Sequence, residues 1–201
     1  MSAPRILATG FGPFPGAPVN PTQRLVERLR AEPPPGSFRA ELLQVDYLAI
    51  GPRLGEIGRA FSPDIAIHFG LAAGCSGFRL ERIARNSLAG APPDGNGVLP
   101  ARAAICVGPQ TIASRLPLEA IAAALASESL PVEWSDDAGA YLCNMTMTLS
   151  LAHACDGFAP PVSGFVHVQL TREAGGGAMT DAELLAGARI VIETCRANWR
   201  G

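Results

Sequence analysis

The sequence predicts an α/β protein, a three-layer α/β/α sandwich around a mostly parallel central sheet. Short apolar runs of strand length alternate along the chain with segments of helical periodicity. Residues 64–69 (DIAIHF) are almost continuously apolar, as strands covered on both faces of a parallel sheet are. With 201 residues, 48% hydrophobic and 17% charged, the chain can bury one sizeable core and reads as a single domain, 1–201, with no linker.

The elements follow in order. Residues 5–10 form a short apolar run ending in glycine, a buried strand. After the loop FGPFPGAPVNP, Asn20 suits the cap and Pro21 the first position of a helix whose apolar face is Leu25, Val26 and Leu29. Residues 41–47 alternate as a strand, and 54–61 form a weak helix interrupted by glycines. The strand 64–69 leads into a glycine-rich loop at 70–77. Residues 78–86 are extended, and 87–100 are a loop rich in Pro, Gly and Asn. A helix at 118–127 and a short strand at 132–135 come next. Residues 164–170 alternate as a strand, and Thr180, with Glu183 at capping-box spacing, opens a last helix running to about Trp199.

Residues 135–154 (SDDAGAYLCNMTMTLSLAHA) are the chemical centre of the chain. Met145, Met147, Leu149 and Leu151 alternate as a strand would, but the segment is too long for one and has no breaker before Asp156 and Gly157. A helix is therefore expected, with Asp136 and Asp137 accepting hydrogen bonds from its first amides and Gly139 turning the chain into it. Cys143 then lies in the first turn or two, where the peptide dipoles favour a thiolate. That contribution is about 0.3–2 kcal/mol, against about 1.4 kcal/mol per pKa unit, so a reactive Cys143 needs a basic or cationic partner.

Three histidines are available, His68, His153 and His167. His153 sits ten residues past Cys143, about 15 Å along a shared helix, and is too far to serve. Both His68 and His167 stay open on spacing. Glu81, in FRLERIARN, can orient a histidine or simply pair with an arginine. Cys75, in AAGCSG after a buried strand, is a second candidate nucleophile. In α/β sheets, sites gather at the carboxyl ends of the strands, which selects the loops at 10–20 and 70–77, the residues at 136–143 and the end of the strand carrying His167.

Other chemistries find little support. All 16 basic residues are arginines, which removes Schiff-base lysine, phosphate-loop lysine and serine–lysine mechanisms. Glycines 10, 12 and 16 miss the dinucleotide spacing, and Pro13 and Pro15 remove backbone donors there. No metal-ligand spacing occurs and no cofactor is expected. A net charge of -2 argues against nucleic acid or an anionic membrane as partner. No apolar run reaches spanning length, and MSAPR runs into ILATGF without a leader pattern. Five cysteines, odd in number and without CxxC spacing, suggest free thiols and a cytoplasmic location.

Four stretches together resemble the pyroglutamyl peptidase family of cysteine peptidases: TGFGPFPGAPVNPT from Thr9, HFGLAAGCSGFRLERIARN from His68, DDAGAYLCN from Asp136 and GFVHVQL from Gly164. The resemblance implies an α/β/α sandwich and a catalytic set of Glu81, Cys143 and His167 that removes an amino-terminal pyroglutamyl residue from a small peptide. In that set Cys143 attacks the acyl carbon, His167 relays the proton and Glu81 orients the imidazole. It further implies that Phe11, Phe14 and Asn20 bind the pyrrolidone ring, and that the protein forms a homo-oligomer, as family members often do.

The chain departs from the family pattern at several positions. Leu71 stands for a usual Gln, Ala91 and Cys75 for Arg, Gly12 for an acidic residue, Met145 for His and Gln169 for Pro. These leave two alternatives beside the peptidase: the same triad with a different acyl specificity, and a non-catalytic binding protein on the same fold.

Overall fold

The computed structural model describes residues 2–14 and 16–201; Pro15, part of the opening loop, lies outside them. Along the described chain run β1 (Ile6–Phe11), α1 (Pro21–Ala31), β2 (Phe38–Leu43), α2 (Ile50–Phe61), β3 (Ile65–Leu71), β4 (Phe78–Glu81) and β5 (Ile83–Arg85). Then come β6 (Thr111–Ala113), α3 (Leu118–Ser127), β7 (Val132–Ser135), α4 (Leu142–Leu151), β8 (Val162–Val168) and α5 (Asp181–Ala197). The central sheet has the order β2-β1-β3-β8-β4-β7, while β5 and β6 form a separate antiparallel pair. Strands β2, β1, β3 and β8 run parallel, and the direction reverses only where β4 pairs antiparallel with β8.

Helices cover both faces. Leu25 and Val26 of α1, Ile121 and Leu125 of α3, and Leu184, Ala188 and Val191 of α5 pack on Ile6, Ile67, Phe69, Leu80 and Val166. On the opposite face Ile50, Leu54 and Ile57 of α2 and Met147 and Leu151 of α4 pack on Leu7, Ala66 and Phe165. Each fully buried aliphatic side chain contributes roughly 1.5–3 kcal/mol, so the two layers hold the sheet from both sides. This is the expected three-layer α/β/α sandwich.

Strand alternation positions the chemistry. On β8, Val166 and Val168 point to the α1/α3/α5 layer, so Phe165 and His167 point to the α2/α4 layer. By the same alternation Phe78 and Leu80 turn one way and Arg79 and Glu81 the other, while on β3 His68 and Gly70 share the α4 side. Three neighbouring strands thus direct Gly70, His167 and Glu81 to the face that α4 covers.

Helices α1 and α5 begin as their sequences predict. Asn20 accepts from the Thr22 amide with Pro21 at the first position, and Thr180 and Glu183 form a reciprocal capping box. Other bounds shift. The second strand is Phe38–Leu43 rather than 41–47, because its pairing with β1 starts at Ile6 opposite Phe38, and the Tyr47 amide turns to Asp94 instead of a neighbouring strand. Helix α2 starts at Ile50, four residues before the expected Leu54, with Pro52 in its first turn. Its glycines serve close packing: a Cβ at Gly58 would lie 2.0 Å from the Gly157 carbonyl oxygen. The extended run 78–86 divides into β4 and β5, which belong to different sheets.

Candidate active site

Helix α4 does not begin as the two aspartates suggest. Tyr141 is its cap residue and supplies no side-chain capping bond; its hydroxyl donates to the Pro93 carbonyl at 3.2 Å. Asp136 is instead held by Arg82, whose Nε donates at 2.8 Å, and Asp137 Oδ1 accepts from the Gly139 amide at 3.0 Å. The reason is the turn at Gly139 (φ +81°), which puts the aspartates a full turn of chain ahead of the helix. Cys143 is consequently the second residue of α4, close to amides that have no intrahelical acceptor. Its sulfur nests against Gly70, where an added Cβ would stand 2.8 Å from Sγ and 2.6 Å from Phe165 Cζ.

His167 lies opposite Gly70 across the β3–β8 ladder. Its Nδ1 donates to Glu81 Oε1 at 2.7 Å, inside the protein. The other carboxylate oxygen, Oε2, is buried without a hydrogen-bond partner, so among the described residues this ring is the one group the Glu81 side chain hydrogen-bonds. With Nδ1 committed, Nε2 is the ring nitrogen left for the thiol, whose sulfur lies against Gly70, the residue paired with His167. Burial disfavours a charged imidazole here, but the charge and hydrogen bond of Cys143, followed by those of Glu81, outweigh it and push His167 up to about 9. The shift favours the protonated ring, the cation that the helix dipole alone could not replace.

Phe11, Phe14 and Asn20 meet the sulfur at one cavity, which Val45, Leu71, Tyr141 and Leu142 complete around Cys143. It is small, about 30 Å³, room for one or two waters. Aromatic contacts form its wall: Tyr141 stands between Phe14 and Tyr47, with ring centroids 5.9 and 5.8 Å away. The Asn20 carboxamide accepts from the Thr22 amide and hydroxyl and donates from Nδ2 to the Gly12 carbonyl at 3.1 Å. One Nδ2 hydrogen remains without a protein acceptor among the described residues.

The competing candidates are placed differently. His68 is enclosed, with Nδ1 2.8 Å from the Thr9 hydroxyl, and burial pulls it down to about 3. Cys75 is buried beside the Gly77 carbonyl and its thiol is pushed up to about 11, chiefly by burial. A broad cleft of about 780 Å³ at the opposite end of the sheet is lined by both Cys155 and His153. There burial pushes the Cys155 thiol up to about 11, and His153 Nε2 is taken by Arg115 and the Pro160 carbonyl. Charge and hydrogen bonding, more than cleft size, single out Cys143. Among the described residues no group of three His, Cys, Asp or Glu is placed to hold a metal ion, and no helix is long and apolar enough to cross a membrane.

The carboxyl-end rule selects the stretches that hold Gly70 and Tyr141 without giving either residue a role, and it gives Phe165 none. A glycine following a largely apolar run is a usable signal, since such a residue often marks close approach of another group. Phe165 and Tyr141 gave none, being ordinary core aromatics until the register is known.

The family model described as pyroglutamyl peptidase matches residues 4–196. A pyrrolidone-carboxylate peptidase of Pyrococcus furiosus is 37% identical over 166 residues, 82% of this chain and 80% of the relative. One of Gloeobacter violaceus is 32% identical over 201 residues, covering 96% and 98%. Among solved structures, a mutant pyrrolidone carboxyl peptidase from Pyrococcus furiosus superposes with a TM-score of 0.87 at 33% identity over 97% of this chain and 99% of that one. The pyrrolidone carboxyl peptidase of Thermus thermophilus does so with 0.84 at 29% identity, covering 94% and 99%. With a family model spanning nearly the whole chain, relatives above 30% identity and the same fold throughout, the chain belongs to the pyroglutamyl peptidase family.

Proposed function

We propose that the protein is a cysteine peptidase that hydrolyses an amino-terminal pyroglutamyl residue from small peptides, with Cys143 as nucleophile, His167 as acid and base, and Glu81 as the group that orients and charges the imidazole. The observation that carries it is the buried Glu81–His167 pair set beside the Cys143 sulfur, which lies against Gly70, the β3 residue paired with His167. The thiolate adds to the acyl carbon, and the oxyanion takes hydrogen bonds from the free amides at the start of α4. Imidazolium gives its proton to the departing amine, the C–N bond breaks, and a thioester remains. The now neutral ring then takes a proton from water, hydroxide adds to the thioester, and pyroglutamate leaves as the thiol is restored.

Phe11 and Phe14 form the apolar walls for the lactam ring, and the free Nδ2 hydrogen of Asn20 is offered to a lactam carbonyl. At about 30 Å³ the cavity must widen to admit the ring. A different acyl group is favoured by one feature: Leu71 adds an apolar wall where a carboxamide is usual in the family. Five free cysteines accord with a cytoplasmic location.

Cleavage of a pyroglutamyl fluorogenic amide tests the proposal. It should vanish in Cys143→Ser and persist in Cys75→Ser; the opposite pattern removes Cys143 from the mechanism. Turnover of other blocked amides in preference to the pyroglutamyl one selects the second specificity.

A further inference from the structure

The residue after Cys143 is fully buried and makes three hydrogen bonds. Asn144 Oδ1 accepts from the Arg85 amide at 2.9 Å, and Nδ2 donates to the Arg85 carbonyl at 2.7 Å and the Ser87 carbonyl at 3.1 Å. Its carboxamide thus takes both backbone groups of Arg85, as a neighbouring strand would, on the edge of β5 that β6 leaves unpaired. One step along a helix turns a side chain by about 100°, so Cys143 faces the sheet while Asn144 faces β5.

We infer that Asn144 is a positioning residue, which fixes the first turn of α4 so that the Cys143 sulfur stays in register with the His167–Glu81 pair. A single residue, Arg82, separates Glu81 at the end of β4 from the start of β5. The carboxamide therefore ties the nucleophile's turn to the strand segment that carries Glu81, closing a second path between the two ends of the catalytic line. The helix start has no side-chain cap of its own; these three bonds tie its first turn to β5, while the Tyr141 hydroxyl ties the cap residue to the Pro93 carbonyl at 3.2 Å. One turn later the Thr148 hydroxyl donates to the same Arg85 carbonyl at 3.2 Å. It ties α4 to β5 without adjoining the sulfur. Asn144 does not line the substrate cavity, so its effect passes through Cys143.

The inference rests on Cys143 acting as the nucleophile, and alkylation of its sulfur by iodoacetamide can be followed apart from turnover. In Asn144→Ala, the pH of half-maximal alkylation should rise by about one unit, a tenfold loss of reactive thiolate on the acid side. A displacement on the order of 1 Å costs up to about 100-fold in rate. On that basis kcat should fall about 10- to 100-fold with KM within roughly threefold. Thr148→Val should lower the thermal midpoint yet keep the alkylation profile and kcat.

An Asn144→Ala protein that melts earlier but retains both profile and kcat overturns the inference, as does a Thr148→Val protein that reproduces the loss. If Asn144→Ala does not fold, Asn144→Ser, whose hydroxyl can keep one bond to Arg85, should show both changes at reduced size; an unaltered profile there is equally decisive against it. Rapid alkylation of Cys143 without any acyl-amide turnover in the unmodified protein would refute the peptidase reading alone, and the alkylation arm would still test Asn144.

Discussion

Glu81 Oε1 holds His167 Nδ1 at 2.7 Å, and the carboxylate reaches no solvent. A buried carboxylate hydrogen-bonded to that ring stabilises its protonated form directly. Glu81→Gln keeps the shape but removes the charge, and an amide can present a donor where Nδ1–H needs an acceptor. On the scale known for the carboxylate of such triads, kcat/KM should drop by about 10²–10⁴-fold. Near-native turnover in a folded Glu81→Gln protein would show that the pair only stabilises the fold.

The pH dependence follows from the same contact. His167 is raised from 6.5 to about 9 by Cys143 and Glu81 in spite of burial. The native state therefore keeps a proton that the unfolded chain loses. Below 6.5 the stabilisation is complete, it declines between 6.5 and 9, and above 9 it is gone. Activity should lose its acid on the same alkaline side, with a limb near 9 that moves to lower pH in Glu81→Gln. Thermal midpoints and kcat profiles recorded across that range check both statements, and a midpoint that rises with pH through this window contradicts the assignment.

Thiol selectivity should be strong. Burial pushes Cys75 and Cys155 up to about 11 and Cys195 up to about 12, and it also raises Cys106. Only Cys143 has an imidazolium beside it. One equivalent of iodoacetamide near pH 7 should label Cys143 and abolish hydrolysis, as read by peptide mass mapping. Labelling of Cys75 first would overturn the ranking.

The contrast between Cys75 and Cys143 shows what could be read from the chain and what could not. Local rules were sufficient where the determinants are local: the Asn20–Pro21 helix start, the Thr180–Glu183 box and the apolar strand before Gly70 all lie within a few residues of their effects. The choice between His68 and His167 depends on neighbours in space. Both histidines lie on the α4 side of the sheet, but only β8 adjoins the reversed strand β4 that brings Glu81. No spacing along the chain records that reversal, and it was the family resemblance that pointed to the set of three. The aspartates before α4 failed as caps for a similar reason, since Arg82, distant in sequence, claims Asp136.

Gly70 is a position where one methyl group decides. Its Cβ would fall 2.8 Å from the Cys143 sulfur and 2.6 Å from the Phe165 ring, which itself packs 4.7 Å from the His167 ring centroid. Overpacking of this kind costs about 1–3 kcal/mol, and any relief displaces a reacting group. Gly70→Ala should lower the thermal midpoint and reduce kcat by more than about tenfold. A variant that melts earlier but turns over normally would show that the sulfur tolerates displacement.

Asn20 offers a separable test of substrate recognition, because its two ends do different work. The oxygen caps α1 through the Thr22 amide and hydroxyl, while the nitrogen donates to the Gly12 carbonyl and has one hydrogen without a protein acceptor among the described residues. Aspartate caps a helix about as well as asparagine, whereas alanine costs about 1 kcal/mol. Asn20→Asp therefore keeps the cap and loses the donor. Its thermal midpoint should stay closer to the parent than that of Asn20→Ala. Yet KM for a pyroglutamyl amide should rise about tenfold in both, the scale of one lost hydrogen bond of about 1–2 kcal/mol. If KM rises only in the alanine variant, Asn20 shapes the loop and the lactam finds its donor elsewhere.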